Sequence, residues 1–302
     1  MEKNKFLSFL SLVLKGIPVG IAFIIPGFSG GSVAAIIGIY DQLLEAITGL
    51  KKHFKQSIGF LIPILVGMIL GIAALILPIK IFLPNYPIIV VSLFIGLSLG
   101  GLWSITPNVG KLRDMKWYHA FSFLLPLAFA AVIGFLPNRE SVDLINLNAF
   151  GYVLLFLVGI VGSCALIVPG ISGSMLLLIL GYYNPILELV TDYLLHGQMI
   201  GHCLLVVLAV GLGIVVGFFL ISFIMKKLLT KCPKGTYIAI VGFIIGSVPT
   251  AYIASCADAM ESGWTFASVA ADPVHWIIAA LFLIVGIVGS LLLVKFSRKS
   301  TK

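Results

Sequence analysis

Two short segments carry the residue types best suited to chemistry: Pro26-Gly27-Phe28-Ser29-Gly30-Gly31-Ser32 and Pro169-Gly170-Ile171-Ser172-Gly173-Ser174. A glycine-rich turn feeding a helix amino terminus presents unpaired backbone N–H groups and the positive end of the helix dipole, and serine hydroxyls add further donors. In surroundings of low dielectric such a turn binds an anion without a formal charge of its own. The candidate phosphate-binding residues are therefore Gly27, Ser29, Gly30, Gly31, Gly170, Ser172, Gly173 and Ser174. Glycines that let helices approach and serines that cap them are the structural alternative. Two related copies favour the anion site over one turn that merely packs.

A second set of residues could couple or gate such a site: Lys15, Tyr40, Asp41, Glu45, Tyr183 and Glu188. Lys15 stands within an apolar stretch, where a cation is functional by default, although a long side chain can also snorkel to the interface. Glu45 and Glu188 each lie about four helical turns beyond a Pro-Gly turn. A carboxylate near a membrane face could exchange protons with water, while packing or contact with headgroups is the plainer role. Asp41 and Glu45 have a spacing that could hold a metal ion, but no histidine lies near either turn, and neither metal nor cofactor is expected. The cysteines Cys164, Cys203, Cys232 and Cys256 lack Cys-x-x-Cys spacing, which points to inert thiols.

The elements that position these residues follow from composition. Of 302 residues 60% are hydrophobic and 10% charged, with a mean hydropathy of +1.18, whereas soluble domains carry about 25% charged residues. A soluble fold is excluded. Apolar stretches at 6–25, 31–49, 57–78, 86–106, 118–136, 149–168, 172–194, 201–225, 236–255 and 275–296 predict ten helical segments, since a hydrocarbon core needs roughly 20 helical residues to cross. They are continuously apolar rather than alternating, which excludes a β-barrel. The formal charge of +8 comes from basic clusters between these segments. Membrane topology explains them, and no nucleic-acid partner is expected.

A shift of 143 positions superimposes the two Pro-Gly-x-Ser-Gly segments and also pairs Gly16 with Gly159, Ala22 with Ala165, Gly38 with Gly181, Tyr40 with Tyr183 and Glu45 with Glu188. Further along, Gly96 and Gly246 occupy similar settings at a slightly larger shift. The chain thus divides into a first repeat at 1–136, a second at 149–296 and a tail at 297–302. One orientation places 16 of the 19 basic residues, and both termini, on the cytoplasmic side. Each repeat then crosses an odd number of times, so the second copy is upside down, as in secondary transporters with a substrate site at the repeat interface. Gly16 and Pro18, and Gly159 and Gly162, read as chain breaks. With them the motifs form re-entrant hairpins of half-membrane length, the alternative being surface turns between full spans. The expected fold is an all-α polytopic membrane protein of two inverted five-segment repeats, each with a re-entrant hairpin.

The paired Pro-Gly-x-Ser-Gly segments, each followed by Gly-x-Tyr (Gly38 with Tyr40, Gly181 with Tyr183), resemble the polyprenyl-phosphate transporters, once grouped as a membrane domain of unknown function. The resemblance covers nearly the whole chain. It implies a flippase that returns undecaprenyl phosphate, the lipid carrier of bacterial envelope synthesis, from the outer to the inner leaflet of the cytoplasmic membrane, with a proton as candidate coupling ion. The partners it implies are a polyprenyl-phosphate lipid and the bilayer; oligomeric state is not readable. Departures are Ser174 where the first copy has Gly31, and Asn184 where it has Asp41. A rival is an undecaprenyl-diphosphate phosphatase-like enzyme, whose similar turn continues with an arginine that would neutralise a transferring phosphoryl group; here Gly30 and Gly173 stand instead. A small-anion channel is the third reading, without a ring of charges to mark its path.

Overall fold

The computed structural model describes residues 2–24, 29–110, 115–133, 135–136, 141–171, 173–194, 196–261 and 273–299. Among them there are helices and no strand. In chain order they are α1 (Glu2–Ile24), α2 (Gly30–Ile36), α3 (Tyr40–Gly49), α4 (Phe54–Asn85), α5 (Pro87–Val109), α6 (Trp117–Ile133), α7 (Ala149–Ile167), α8 (Gly173–Ile179), α9 (Tyr183–Glu188, continued by a π-helical turn Leu189–Leu194), α10 (Ile200–Lys231), α11 (Pro233–Glu261) and α12 (Pro273–Lys299). Six of them, α4, α5, α7, α10, α11 and α12, are long and apolar enough to cross a membrane, and α1 and α6 carry shorter apolar stretches. Rows of Leu, Ile, Val and Phe stand exposed along α4, α10 and α12, a surface that lipid covers and water would not. The chain is a multi-pass membrane protein.

Eight of the ten expected segments are single helices. The other two, 31–49 and 172–194, are each broken in the middle, at Gly38 and Gly181. Both glycines take a left-handed backbone, with φ of +75° and +79°, which a side chain would strain. The breaks expected at Gly16 with Pro18 and at Gly159 with Gly162 are absent, because α1 and α7 run through them. These glycines serve packing instead: a Cβ on Gly16 would lie 3.0 Å from the Cα of Gly67 in α4, and one on Gly159 would lie 3.0 Å from the Cα of Gly213 in α10. Small residues bring membrane helices into backbone contact in this way.

The helix joints recur. α4 ends at Tyr86 before Pro87, and α10 ends at Cys232 before Pro233; the joint residues have φ/ψ of −137°/54° and −134°/57°. A residue before proline is driven out of the helical region, and proline itself opens the next helix. Between the joints the shift is 146 positions, which places Gly96 and Gly100 opposite Gly242 and Gly246. At that spacing Gly96 stands opposite Gly242, whereas the slightly larger shift read from the sequence pairs it with Gly246. Both Gly-x-x-x-Gly pairs pack within the chain: Gly96 and Gly100 meet α12 at Leu283 and Ile287, and Gly242 and Gly246 meet α6 at Phe123 and Leu127.

The packing pairs follow the same pattern. α1 lies against α4 as α7 lies against α10, while α5 takes α12 from the later half and α11 takes α6 from the earlier one. α5 and α11 pack on each other at the centre, joined by the Ser92 and Tyr252 hydroxyls at 2.7 Å. The two broken segments differ. α2 and α3 are buried in the main core with Ile64, Ile105, Ile167, Ile240 and Ile244. α9 and its π-helical continuation sit by a separate cluster including Leu155, Leu189 and Val206, where residues 141–144, outside any helix, reach the second break through Val142 N–H to the Gly181 carbonyl (3.0 Å).

Candidate functional site

α2 begins where the first Pro-Gly-x-Ser-Gly segment ends. Gly27 lies outside the described residues, but Ser29 is 3% exposed and extended (φ −121°, ψ 127°), so α2 opens at Gly30. Its hydroxyl does not cap its own helix. It donates across the fold to the carbonyls of Ala165 (3.1 Å) and Val168 (3.3 Å) at the end of α7. Tyr40, at the start of α3, is 2% exposed and donates to the Ile167 carbonyl at 2.8 Å. In the reverse direction the N–H of Gly170 donates to the Ser32 hydroxyl at 2.6 Å. The last carbonyls of a helix have no partner within it, and here the first motif supplies them to α7.

The two motifs therefore meet. Sequence spacing put them 143 positions apart, and the fold closes that distance into one polar junction within an apolar core. Glycine is required at two points of it. A Cβ on Gly31 would lie 2.8 Å from the Ile167 carbonyl oxygen, and one on Gly170 would lie 2.6 Å from the Phe243 carbonyl, with a φ of +84° at Gly170 itself. Ser172 lies outside the described residues. Gly173 opens α8 with its Cβ position 3.2 Å from that of Ala165, and Ser174 follows it in the first turn. A cavity of about 380 Å³ reaches Gly30 and Gly31 from the side of α4 and α10, and its walls, among them Leu43, Leu61, Leu65 and Phe218, are apolar.

The candidate coupling residues are dispersed. Lys15 is half-buried in α1, beside the contact of Gly16 with Ile64 and Gly67. Asp41 and Glu45 are exposed on α3. The Asp41 carboxylate accepts from the Tyr237 hydroxyl of α11 at 2.6 Å, and both acidic residues line a small cavity with Asn108 and Lys226. Glu188 is exposed at the end of α9 and Tyr183 is half-buried at its start, on the other broken segment. Among the described residues no group of three or more His, Cys, Asp or Glu side chains is placed to hold a metal ion, and Asp41 is engaged by Tyr237 instead.

Sequence reasoning missed Ser32, whose position inside the quoted motif was the available signal, and Tyr237, which had none. It also read the lysines at the end of α10 for topology alone. Glu45 shares a cleft of about 1040 Å³ with Lys52 and His53, at the start of α4, and with Lys226, Lys227 and Lys231.

The profile of the undecaprenyl phosphate translocase-like family matches residues 19–265. The polyprenyl-phosphate transporter of Staphylococcus aureus is 28% identical, covering 95% of this chain and 97% of its own. The polyprenyl-phosphate transporter of Vibrio cholerae is 29% identical, covering 98% and 99%. No solved structure matches.

Proposed function

This chain belongs to the undecaprenyl phosphate translocase-like family, and on that footing we propose that it carries undecaprenyl phosphate, or a related polyprenyl phosphate, from the outer to the inner leaflet of the bacterial cytoplasmic membrane. It is a transporter and not an enzyme, as the names of its relatives have it. The observation that carries the reading is the junction at which the two Pro-Gly-x-Ser-Gly segments meet. Ser29 and Tyr40 spend their protons on neutral carbonyls there. An anionic oxygen accepts a hydrogen bond roughly twice as strong, so an arriving phosphate replaces Ala165, Ile167 and Val168 as the acceptor and frees the end of α7. Gly27, with the N–H groups of Gly30 and Gly31, completes the cradle from one side; Gly170, Ser172, Gly173 and Ser174 serve from the other.

In this proposal residues 1–136 and 149–296 are copies of one unit, inserted with opposite orientation, with 297–302 as a cytoplasmic tail and both termini inside. The recurrent joints at Tyr86-Pro87 and Cys232-Pro233, and the matching pairs α1 with α4 and α7 with α10, support the repeat. α2 and α8, of seven residues each, or about 10 Å, suit the inner ends of re-entrant hairpins whose return limbs begin after Gly38 and Gly181. An anionic headgroup moving inward opposes the membrane potential by about 2.3 kcal/mol per charge per 100 mV. A proton carried by Glu45 on one hairpin and Glu188 on the other cancels one charge, and Lys15 draws the phosphate toward the first hairpin.

The test is reconstitution in vesicles with inside-out and right-side-out populations separated, following movement of polyprenyl phosphate and release of inorganic phosphate in parallel. Lipid movement without phosphate release is the expected result. Phosphate release that keeps pace with turnover, or no lipid movement at all, overturns the reading.

A further inference from the structure

The junction leaves the cleft between α3, the start of α4 and the end of α10 unexplained. Lys52, Lys226, Lys227 and Lys231 line it against a single carboxylate, Glu45, with His53 alongside. That is four positive charges to one negative. Lysines on a cytoplasmic face are ordinary membrane topology, but these come from two distant stretches of chain and are gathered into a concavity. One is held in place, since Lys226 Nζ donates to Thr48 Oγ1 of α3 at 3.0 Å.

The apolar cavity beside Gly30 and Gly31 lies further along the same two helices. α4 enters at His53 and lines the apolar part with Leu61 and Leu65, while α10 leaves at Lys231 and lines it with Phe218. Twelve residues separate His53 from Leu65 and thirteen separate Phe218 from Lys231, about 18–20 Å of helix in each case. A basic cleft thus lies at one end of this stretch, and the cavity at the other end is lined by side chains without charge. At about 380 Å³ that end exceeds the cavity of about 150 Å³ that takes up benzene.

We propose that the cleft and this cavity together form a second station for the cargo lipid: a phosphomonoester headgroup held by Lys52, Lys226, Lys227 and Lys231, with the first part of its prenyl chain lying along α4 and α10 beside Leu61, Leu65 and Phe218. The inference rests on the reading of a prenyl phosphate as cargo, and adds a site separate from the junction. Charge and shape select the occupant together. A phosphomonoester carries about −1.5 to −2 at neutral pH and matches the surplus of three positive charges, and a single apolar chain suits the narrow inner part. Inorganic phosphate would gain nothing from the inner part. A two-chained phosphodiester such as phosphatidylglycerol carries less charge.

The experiment uses the full-length protein in nanodiscs of neutral lipid and measures binding of farnesyl phosphate, farnesol, inorganic phosphate and phosphatidylglycerol by native mass spectrometry. Lys226→Gln with Lys227→Gln, and separately Lys52→Gln with Lys231→Gln, are expected to weaken farnesyl phosphate at least tenfold and leave farnesol unchanged. Leu61→Trp, which fills the inner part, should weaken both prenyl ligands at least fivefold. Lys55→Gln, in the first turn of α4 but outside the cleft, should stay within twofold of the parent. Parental binding of farnesyl phosphate in both lysine doubles overturns the station, and if the parent still transports, the proposed function survives that loss. Equal affinity for inorganic phosphate makes it a free-anion site, and equal affinity for phosphatidylglycerol a general lipid surface; either overturns the proposal. A parent that neither binds farnesyl phosphate nor moves polyprenyl phosphate removes the transport reading, and the station with it.

Discussion

Replacing Gly31 with alanine strikes the junction where α2 meets the end of α7. The added Cβ would lie 2.8 Å from the Ile167 carbonyl oxygen and 3.3 Å from the carbon it belongs to. The obstacle is backbone at the end of a packed helix, not the tip of a flexible side chain, so the end of α7 has to move by several tenths of an ångström. The same oxygen accepts the Tyr40 hydroxyl at 2.8 Å. Overpacking costs about 1–3 kcal/mol, and weakening that hydrogen bond adds up to about 1 kcal/mol. Alanine also recovers about 0.8–1.0 kcal/mol of helix propensity in α2, but equally in open and closed forms, so that gain cancels from their difference. Together a penalty of about 1–4 kcal/mol on the closed junction shifts its balance with an open one by roughly fivefold to several hundredfold. Hydrogen exchange over residues 165–171 reads this directly, because Ser32 holds the Gly170 amide. Exchange there should quicken at least fivefold, and transport in vesicles should fall at least tenfold. Gly59→Ala, a position with nothing within 4 Å of the added atom, should change neither. Parental exchange and parental transport in Gly31→Ala would refute the account of the junction as a tight, closing contact.

Three further outcomes are expected. Glu45→Gln and Glu188→Gln, separately and together, should flatten the pH dependence of transport while lipid binding persists; a double variant with the parent's pH profile removes proton coupling from these residues. Gly96→Leu should lower thermal stability in detergent sharply without altering the oligomeric state, because even a Cβ at Gly96 collides with the Leu283 carbonyl of α12 and overpacking costs about 1–3 kcal/mol or more; unchanged stability would show that α5 and α12 are not in backbone contact. Lys15→Gln should slow inward movement several-fold at normal expression, whereas parental rates in Lys15→Gln together with low expression of Lys15→Ala would reduce Lys15 to an interfacial anchor.

Much of the helical layout was legible because lipid imposes it. Long apolar runs have one use in a bilayer, and X-Pro joints such as Tyr86-Pro87 end a helix for local steric reasons. Pro18 misled because helix interruption is a local rule, and α1 holds its course through backbone contact with α4 on either side, at Gly16 and Gly20. The motif residues were legible as a set, but their meeting was not. Ser29 and Tyr40 bind main-chain carbonyls, and a carbonyl leaves no mark in the sequence that says which serine will reach it. The basic cleft was hidden for another reason: charge counting gives the side of the membrane on which Lys52 and Lys226 lie, and says nothing of whether the surface there is convex or hollow.

The likeness of the two halves makes their differences informative. In this structure the first hairpin occupies the core, with Tyr40 2% exposed, while Tyr183, its counterpart, is half-buried beside a separate cluster. If the proposed copies exchange surroundings during transport, the exchanged arrangement has to lie within a few kcal/mol of this one for both to be populated. One contact does not survive the exchange. Asp41 accepts from Tyr237, and the positions that correspond to them by the shifts of 143 and 146 are Asn184 and Val91, a pair in which the valine has no hydroxyl to give. A hydrogen bond to a charged group contributes about 1.5–3 kcal/mol, less where the group is open to water, as the exposed Asp41 is. Even about 1.4 kcal/mol weights the present arrangement tenfold. In the proposed cycle, one tyrosine thus gives the two related halves a preferred resting side, and the cargo's binding energy is needed to leave it.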